Sequence, residues 1–164
     1  MTAQATDTAV RTSIVVEAPQ ELAFDVFTKD MASWWPRDHH ILEGELAEMV
    51  FELEEGGRIY DVGVDGSICR WARVLVFQPP ECLVISWDIT PDWKLQTDLD
   101  KTSEVEFRFL PEDREHTRVE LEHRHLDRHG GGWEGMRDAV SSPDGWNRSL
   151  RALRERTDEV GANR

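Results

Sequence analysis

The chain is expected to fold as one α+β domain, an antiparallel sheet packed against a C-terminal helix. Two observations near its end predict this. Val105 to Phe109 and Thr117 to His125 alternate strictly, with apolar or histidine side chains at odd positions and charged ones at even positions. That is the period-2 pattern of strands with one wet face. Farther on, Trp146, Leu150 and Leu153 recur at i, i+4 and i+7, one apolar stripe on a helix. A one-sided sheet and a one-sided helix each have a face to bury, and they bury it most simply against each other.

The elements follow in order. Thr12 to Glu17 is β-branched and reads as a first strand. Pro19 fits a helix start, and Leu22, Phe24, Val26 and Phe27 make a short helix ending near Thr28. Asp30 to Trp35 is a second short helix, stopped by Pro36. Glu48 to Leu53 and Arg58 to Val62 flank Gly56-Gly57, a hairpin turn. Ile68 to Phe77 is a long strand closed by Pro79-Pro80, and Cys82 to Trp87 follows. Pro91 to Thr102 is a loop carrying Trp93. The two alternating strands come next, joined by the polar turn Leu110 to His116. Asp127 to Ser141 is glycine-rich, with a short helix around Met136, Ala139 and Val140. Ser142, Pro143 and Asp144 suit the cap, first position and positive dipole end of a last helix running to about Thr157. The expected organisation is a frayed stretch 1–10, a domain 11–158 and a polar tail 159–164.

At 164 residues the chain can bury a real core. Nineteen basic against thirty-three acidic residues give a net charge of −14. That argues against nucleic acid and anionic membrane as partners, since both need positive potential. No run approaches a membrane span, and the start lacks the regions of a signal peptide. Cys69 and Cys82 sit in apolar strands and read as core thiols of a reducing compartment, so a cytoplasmic location is expected. Seven tryptophans mean an aromatic core or a pocket walled by large flat rings.

This order, together with several motifs, resembles the helix-grip fold of the START-related SRPBCC superfamily, in the branch similar to activators of the heat-shock protein 90 ATPase. The motifs are Ile14-Val-Val-Glu-Ala-Pro with Phe24-Asp-Val-Phe, Trp34-Trp35, Leu53-Glu-Glu-Gly-Gly-Arg58, Gln78-Pro-Pro with Leu83-Val-Ile-Ser-Trp87, Ser103-Glu-Val-Glu-Phe, Thr117-Arg-Val-Glu-Leu-Glu-His123, and Gly145-Trp146 with Leu150 and Leu153. The resemblance implies a curved antiparallel sheet of about seven strands wrapped around a long C-terminal helix, with two short helices after strand 1 and a cavity between sheet and helix. In relatives that cavity holds lipids, hormones or polyketides, and a minority do cyclase or aromatase chemistry. Eukaryotic members of the branch assist the chaperone with an additional N-terminal domain, for which this length leaves no room. That argues against a chaperone partner here.

If the odd positions face the helix, His123 and His125 point inward, and the resemblance puts His123 at the superfamily's common histidine. One reading makes His123 a polar group orienting a ligand or moving a proton; the other makes it a core histidine satisfied by its neighbours. His123-x-His125 also suits two metal ligands, with His129, His39 or His40 as a third, but no carboxylate or cysteine stands at a confirming spacing, and no metal or cofactor is expected. Trp87 and Trp146 read as core or pocket wall. Trp34 and Trp35 lie near a cavity mouth, and Trp93 and Trp133 sit in loops suited to a lid or a homodimer contact. The even-position charges read as cross-strand ion pairs. Arg70 and Arg73 face either solvent or a ligand carboxylate. No nucleophile elbow, phosphate loop or dinucleotide glycine pattern is present.

The expected function is binding of a small apolar or aromatic molecule without catalysis, at a wall of Trp35, Phe51, Trp87, Phe107, His123, His125, Trp146 and Leu150. The alternatives are a cyclase or aromatase using His123 as acid/base, and an interaction module of the chaperone-cofactor type.

Overall fold

The computed structural model describes residues 8–162. Seven strands, β1 (Val10–Val16), β2 (Leu46–Phe51), β3 (Arg58–Gly63), β4 (Ile68–Gln78), β5 (Cys82–Trp87), β6 (Ser103–Asp113) and β7 (His116–Arg124), form one sheet in the order β1-β7-β6-β5-β4-β3-β2. Every pairing is antiparallel. Helices α1 (Gln20–Lys29) and α2 (Met31–Trp34) follow β1, α3 (Trp133–Ser141) follows β7, and α4 (Trp146–Ala162) closes the chain. This is the expected helix-grip arrangement.

The two alternating strands behave as their pattern dictates. Val105, Phe107 and Phe109 pair with His123, Leu121 and Val119 on the buried face. On the wet face Arg124 bridges Glu104 and Glu106 at 3.1 and 2.8 Å, and Arg11 pairs with Glu122 at 3.0 Å. The α4 stripe buries Trp146, Leu150, Leu153 and Thr157, and the helix packs on β1, α1 and α2. Thr12 donates to Asn147 at 2.7 Å, fixing the start of α4 over β1.

Four expectations need correction. β1 begins at Val10, inside the stretch expected to be frayed, because Val10 pairs with His123 and the Thr8 carbonyl accepts from Leu126 at 3.0 Å; residues 1–7 lie outside the described residues. The last helix starts at Trp146, not near Pro143, and runs on to Ala162, past Thr157; 163–164 lie outside the described residues. Ser142 caps no helix start: its hydroxyl donates back to the Ala139 carbonyl at 2.7 Å, at the end of α3. β7 stops at Arg124, and His125 follows in the left-handed conformation with φ 62°, so the alternation does not carry it to the inner face. The chain then makes one 3₁₀ turn, Leu126–His129.

The α3–α4 corner is tight. A Cβ at Gly145 would lie 2.2 Å from the Val140 carbonyl oxygen. No side chain fits there unless the two helices separate, so Gly145→Ala is expected to lower the unfolding free energy by about 2–3 kcal/mol. Urea denaturation measures this, and a loss under about 0.5 kcal/mol, the scale of an ordinary surface change, would mean that the corner yields freely.

Candidate functional site

The sheet's concave face meets α4 over a closed ring of four indoles. Trp35 stacks on Trp71 at 5.2 Å and 28° between planes. Trp71 meets Trp87 edge-on at 5.9 Å, Trp87 meets Trp146 at 5.3 Å, and Trp146 returns to Trp35 at 5.7 Å. Offset and edge-to-face pairs of this kind add about 0.5–1.5 kcal/mol each beyond their buried area. Phe107 extends the cluster to Phe27, and Phe27 meets Trp34. The interior between sheet and helix is therefore filled by side chains.

Beneath Trp146 lies a polar chain. The Trp146 indole N–H donates to His123 Nδ1 at 3.1 Å, so the His123 proton sits on Nε2. Nε2 is 2.7 Å from Ser103 Oγ, which is also 2.7 Å from His129 Nε2. His123 therefore donates to Ser103, and Ser103 donates to His129. His129 carries its own proton on Nδ1, buried and unpartnered among the described residues. Burial, with the second imidazole nearby, pushes His123 down to about 3. Burial pushes His129 down to about 4, opposed by the Asp88 charge. Both rings are held neutral.

Outside the indole ring opens a cleft of about 380 Å³, within the size range of small-molecule sites. Trp35, Trp87 and Trp146 form its floor and Trp93 its outer edge, with Ile89 and Val140 beside them. Polar groups gather on the rim: Asp38, His39, His40, Ser142, Asp144 and Ser149. Arg148 ties the rim together, forking onto Asp38 at 2.9 Å twice and donating to His39 Nε2 at 3.2 Å. That bond holds Asp38 below the usual carboxylate range. Burial, then the Arg148 charge, pushes His39 down. His40 is half-buried, and its Nδ1 has no partner among the described residues. Near it Asp61 is 1% exposed and has one carboxylate oxygen, Oδ1, also unpartnered. Burial pushes Asp61 up to about 6, against the Trp71 hydrogen bond and the His40 charge.

The structure divides the expected wall. Trp35, Trp87 and Trp146 line the cleft. Phe107, His123 and Leu150 are core residues, at most 2% exposed and outside the lining. Phe51 is half-buried on β2 against the core, and His125 sits beyond the end of β7; neither lines the cleft. The His123-x-His125 pair is not assembled, because Ser103 brings His129 to His123 instead. Among the described residues no group of three His, Cys, Asp or Glu is placed to hold a metal ion. Arg70 faces solvent, whereas Arg73 forks onto the buried Asp88 at 3.0 Å twice, so its carboxylate partner belongs to the protein. Trp34 is in the core, donating to the Val26 carbonyl, and Trp133 is half-buried under Arg137. Among the described residues no helix is long and apolar enough to cross a membrane.

Nothing in the sequence pattern marks Trp71, Asp61 or Asp88 as site residues. Ser103 had a signal: it lies two residues before Val105, on the same odd face. In the sequence His129 reads only as a metal ligand, because it reaches the Ser103–His123 pair through a left-handed residue and a 3₁₀ turn that leave no periodicity.

The family model described as "Activator of Hsp90 ATPase homolog 1-like protein" matches residues 17–158. An anthrahydroquino-gama-pyrone synthase, Txn09, is 38% identical over 90% of this chain and 96% of its own, with a TM-score of 0.64. CalC, a self-sacrificing resistance protein from Micromonospora echinospora, is 27% identical over 96% of this chain and 99% of its own, also at 0.64. Protein NE0264 from Nitrosomonas europaea, 13% identical over 96% of this chain and 99% of its own, shares the fold at 0.68. The chain has no significant match among curated proteins.

The two neutral imidazoles give a signed pH dependence. Unfolded, each titrates near 6.5; folded, they titrate near 3 and 4. The unfolded chain therefore binds more protons below pH 6.5. The stability they contribute is present above that pH and is lost as pH falls toward about 4. Asp61 acts the other way, its folded value of about 6 lying above 3.8, and offsets part of the loss. The urea midpoint is expected to fall between pH 7 and 4.5, and less steeply in His129→Gln. A flat profile in the parent protein would contradict neutral burial of the pair.

Proposed function

This chain belongs to the family of activator of Hsp90 ATPase homolog 1-like proteins, and on that premise we propose that it binds a planar, oxygenated polycyclic aromatic molecule in the cleft and closes a ring on it. The observation that carries the reading is the cleft's floor of three edge-locked indoles. Such a floor offers apolar ring faces and edges at little entropic cost, because the ring contacts and the Trp146–His123 bond already fix the rotamers. The polar rim then faces the ligand's oxygens. The likeness to the pyrone synthase supports both the ligand class and ring closure. This moves the acid/base role away from His123, which the indole floor separates from the cleft.

His40 is the group suited to that role. His39 already accepts the Arg148 N–H, whereas His40 lines the cleft, its buried Nδ1 has no partner among the described residues, and the Asp61 carboxylate lies close behind. Addition of a ligand hydroxyl to a conjugated enone needs no oxidant. The hydroxyl proton passes to His40, the new oxygen–carbon bond forms as the alkene pair moves into an enolate, and the imidazolium returns the proton to the enolate carbon.

The second reading is a sequestering protein that binds without turnover, supported by the shared fold of the resistance protein and by the apolar floor. The test uses 1-hydroxyanthraquinone carrying an enone on carbon 2, followed by chromatography for the fused 2,3-dihydropyran-4-one. The parent protein is expected to bind and cyclise it. His40→Gln is expected to keep its affinity within about threefold while losing about a hundredfold in rate, the usual scale for a positioned acid/base group. Binding without any cyclisation selects the second reading. Absence of binding contradicts both.

A further inference from the structure

Residues 88–96 form a small hairpin at the cleft's outer edge. Its ladder is the Ile89–Leu95 bridge with Gln96 donating to Asp88 at 2.9 Å. Its tip is tight: Trp93 N–H donates to the Thr90 carbonyl at 2.8 Å, and Thr90 N–H donates to the Lys94 carbonyl at 2.7 Å. The Thr90 hydroxyl donates to Asp92 and accepts from the Lys94 amide, and Pro91 rests against Gly132 before α3. This is a turn followed by one left-handed residue, the arrangement in which glycine or asparagine normally takes the last position. Here that residue is Trp93, with φ 64°.

Trp93 breaks two local preferences at once. A bulky side chain in the left-handed region is strained. The indole stays 43% exposed, although the other four aromatic rings at this end of the sheet are buried. Its turn bond to the Thr90 carbonyl is one that any residue could make. Glycine would relieve the strain and remove the wet apolar surface. Where a residue is locally wrong and the surroundings hold it anyway, the reason is sought in function. The geometry offers one: Trp93 lines the same cleft as Trp35, Trp87 and Trp146.

We infer that Trp93 is the upper jaw of the ligand site, a specificity residue held in a strained turn so that a flat ring system lies between it and the floor of Trp35, Trp87 and Trp146. The inference rests on the ligand class proposed above. It adds that ligand thickness is selected: one planar ring layer is gripped on both faces, and a puckered, saturated analogue is excluded. Stability and binding then oppose each other at this position, which a purely structural tryptophan would not do.

The experiment measures melting temperature and the affinity for 1,4-dihydroxyanthraquinone, by quenching of protein fluorescence, in the parent, Trp93→Gly, Trp93→Asn and Trp93→Phe. Trp93→Gly and Trp93→Asn are expected to melt about 2–4 °C higher, the shift that relief of a left-handed residue gives in a chain of this size. Both are expected to bind the probe about tenfold more weakly, the scale of one lost stacking face. Trp93→Phe keeps a ring and is expected to bind within about threefold of the parent at an unchanged melting temperature. A perhydrogenated analogue of the probe is expected to bind all four proteins equally weakly. Higher melting with unchanged affinity would overturn the jaw, and so would lower melting, since the tryptophan would then serve the fold. Absence of quenching in the parent itself would overturn the ligand class, and the jaw with it.

Discussion

The hydrogen bond from the Trp146 indole to His123 Nδ1 joins the first turn of α4 to the inner face of β7. Much else depends on it. It fixes the His123 tautomer, which sets the direction of the chain through Ser103 to His129. It also fixes the Trp146 ring, which closes the indole circuit with Trp35 and Trp87. Without a neutral His123 there is no acceptor for the indole N–H, so burial of the histidine and placement of the cleft floor are one constraint. The cleft then forms where the corner between α3 and α4, kept close by Gly145, meets the loop after α2.

A filled interior changes how this fold can work. The space between sheet and helix holds rings whose edges and faces satisfy one another, and a ligand has nowhere to enter without dismantling them. What remains is the open end, where three of the four ring indoles present an apolar floor and the polar rim is held by Arg148. Apolar recognition thus comes from the sheet and α4, while polar recognition comes from the loop after α2 and the α3–α4 corner. Acidic overall charge suits a neutral ligand better than an anionic one.

The architecture was legible because each element carries its own period. Strict alternation placed Val105, Phe107, Val119, Leu121 and His123 inward, and the i, i+4, i+7 stripe placed Trp146, Leu150 and Leu153 on the sheet. The cleft was legible only in part. Trp35, Trp87 and Trp146 could be read from their positions beside a breaker, at a strand end and on a stripe. Phe107, His123 and Leu150 share those inward faces but lie deeper, and periodicity gives face without depth. His125 was misplaced because a single left-handed residue ends an alternation that its side chain would have continued. Asp61, Asp88 and Ser103 are buried polar groups whose partners lie on other strands, and pairing across a sheet is invisible in a linear pattern.

The most direct test of the indole-floored cleft is an indole ¹H–¹⁵N spectrum, in which each of the seven tryptophans gives one resonance. Titration with 1,4-dihydroxyanthraquinone is predicted to move the resonances of Trp35, Trp87, Trp93 and Trp146, and to move those of Trp34 and Trp133 least. Movement confined to Trp34 and Trp133, or no movement of any resonance at saturating probe, would contradict the account.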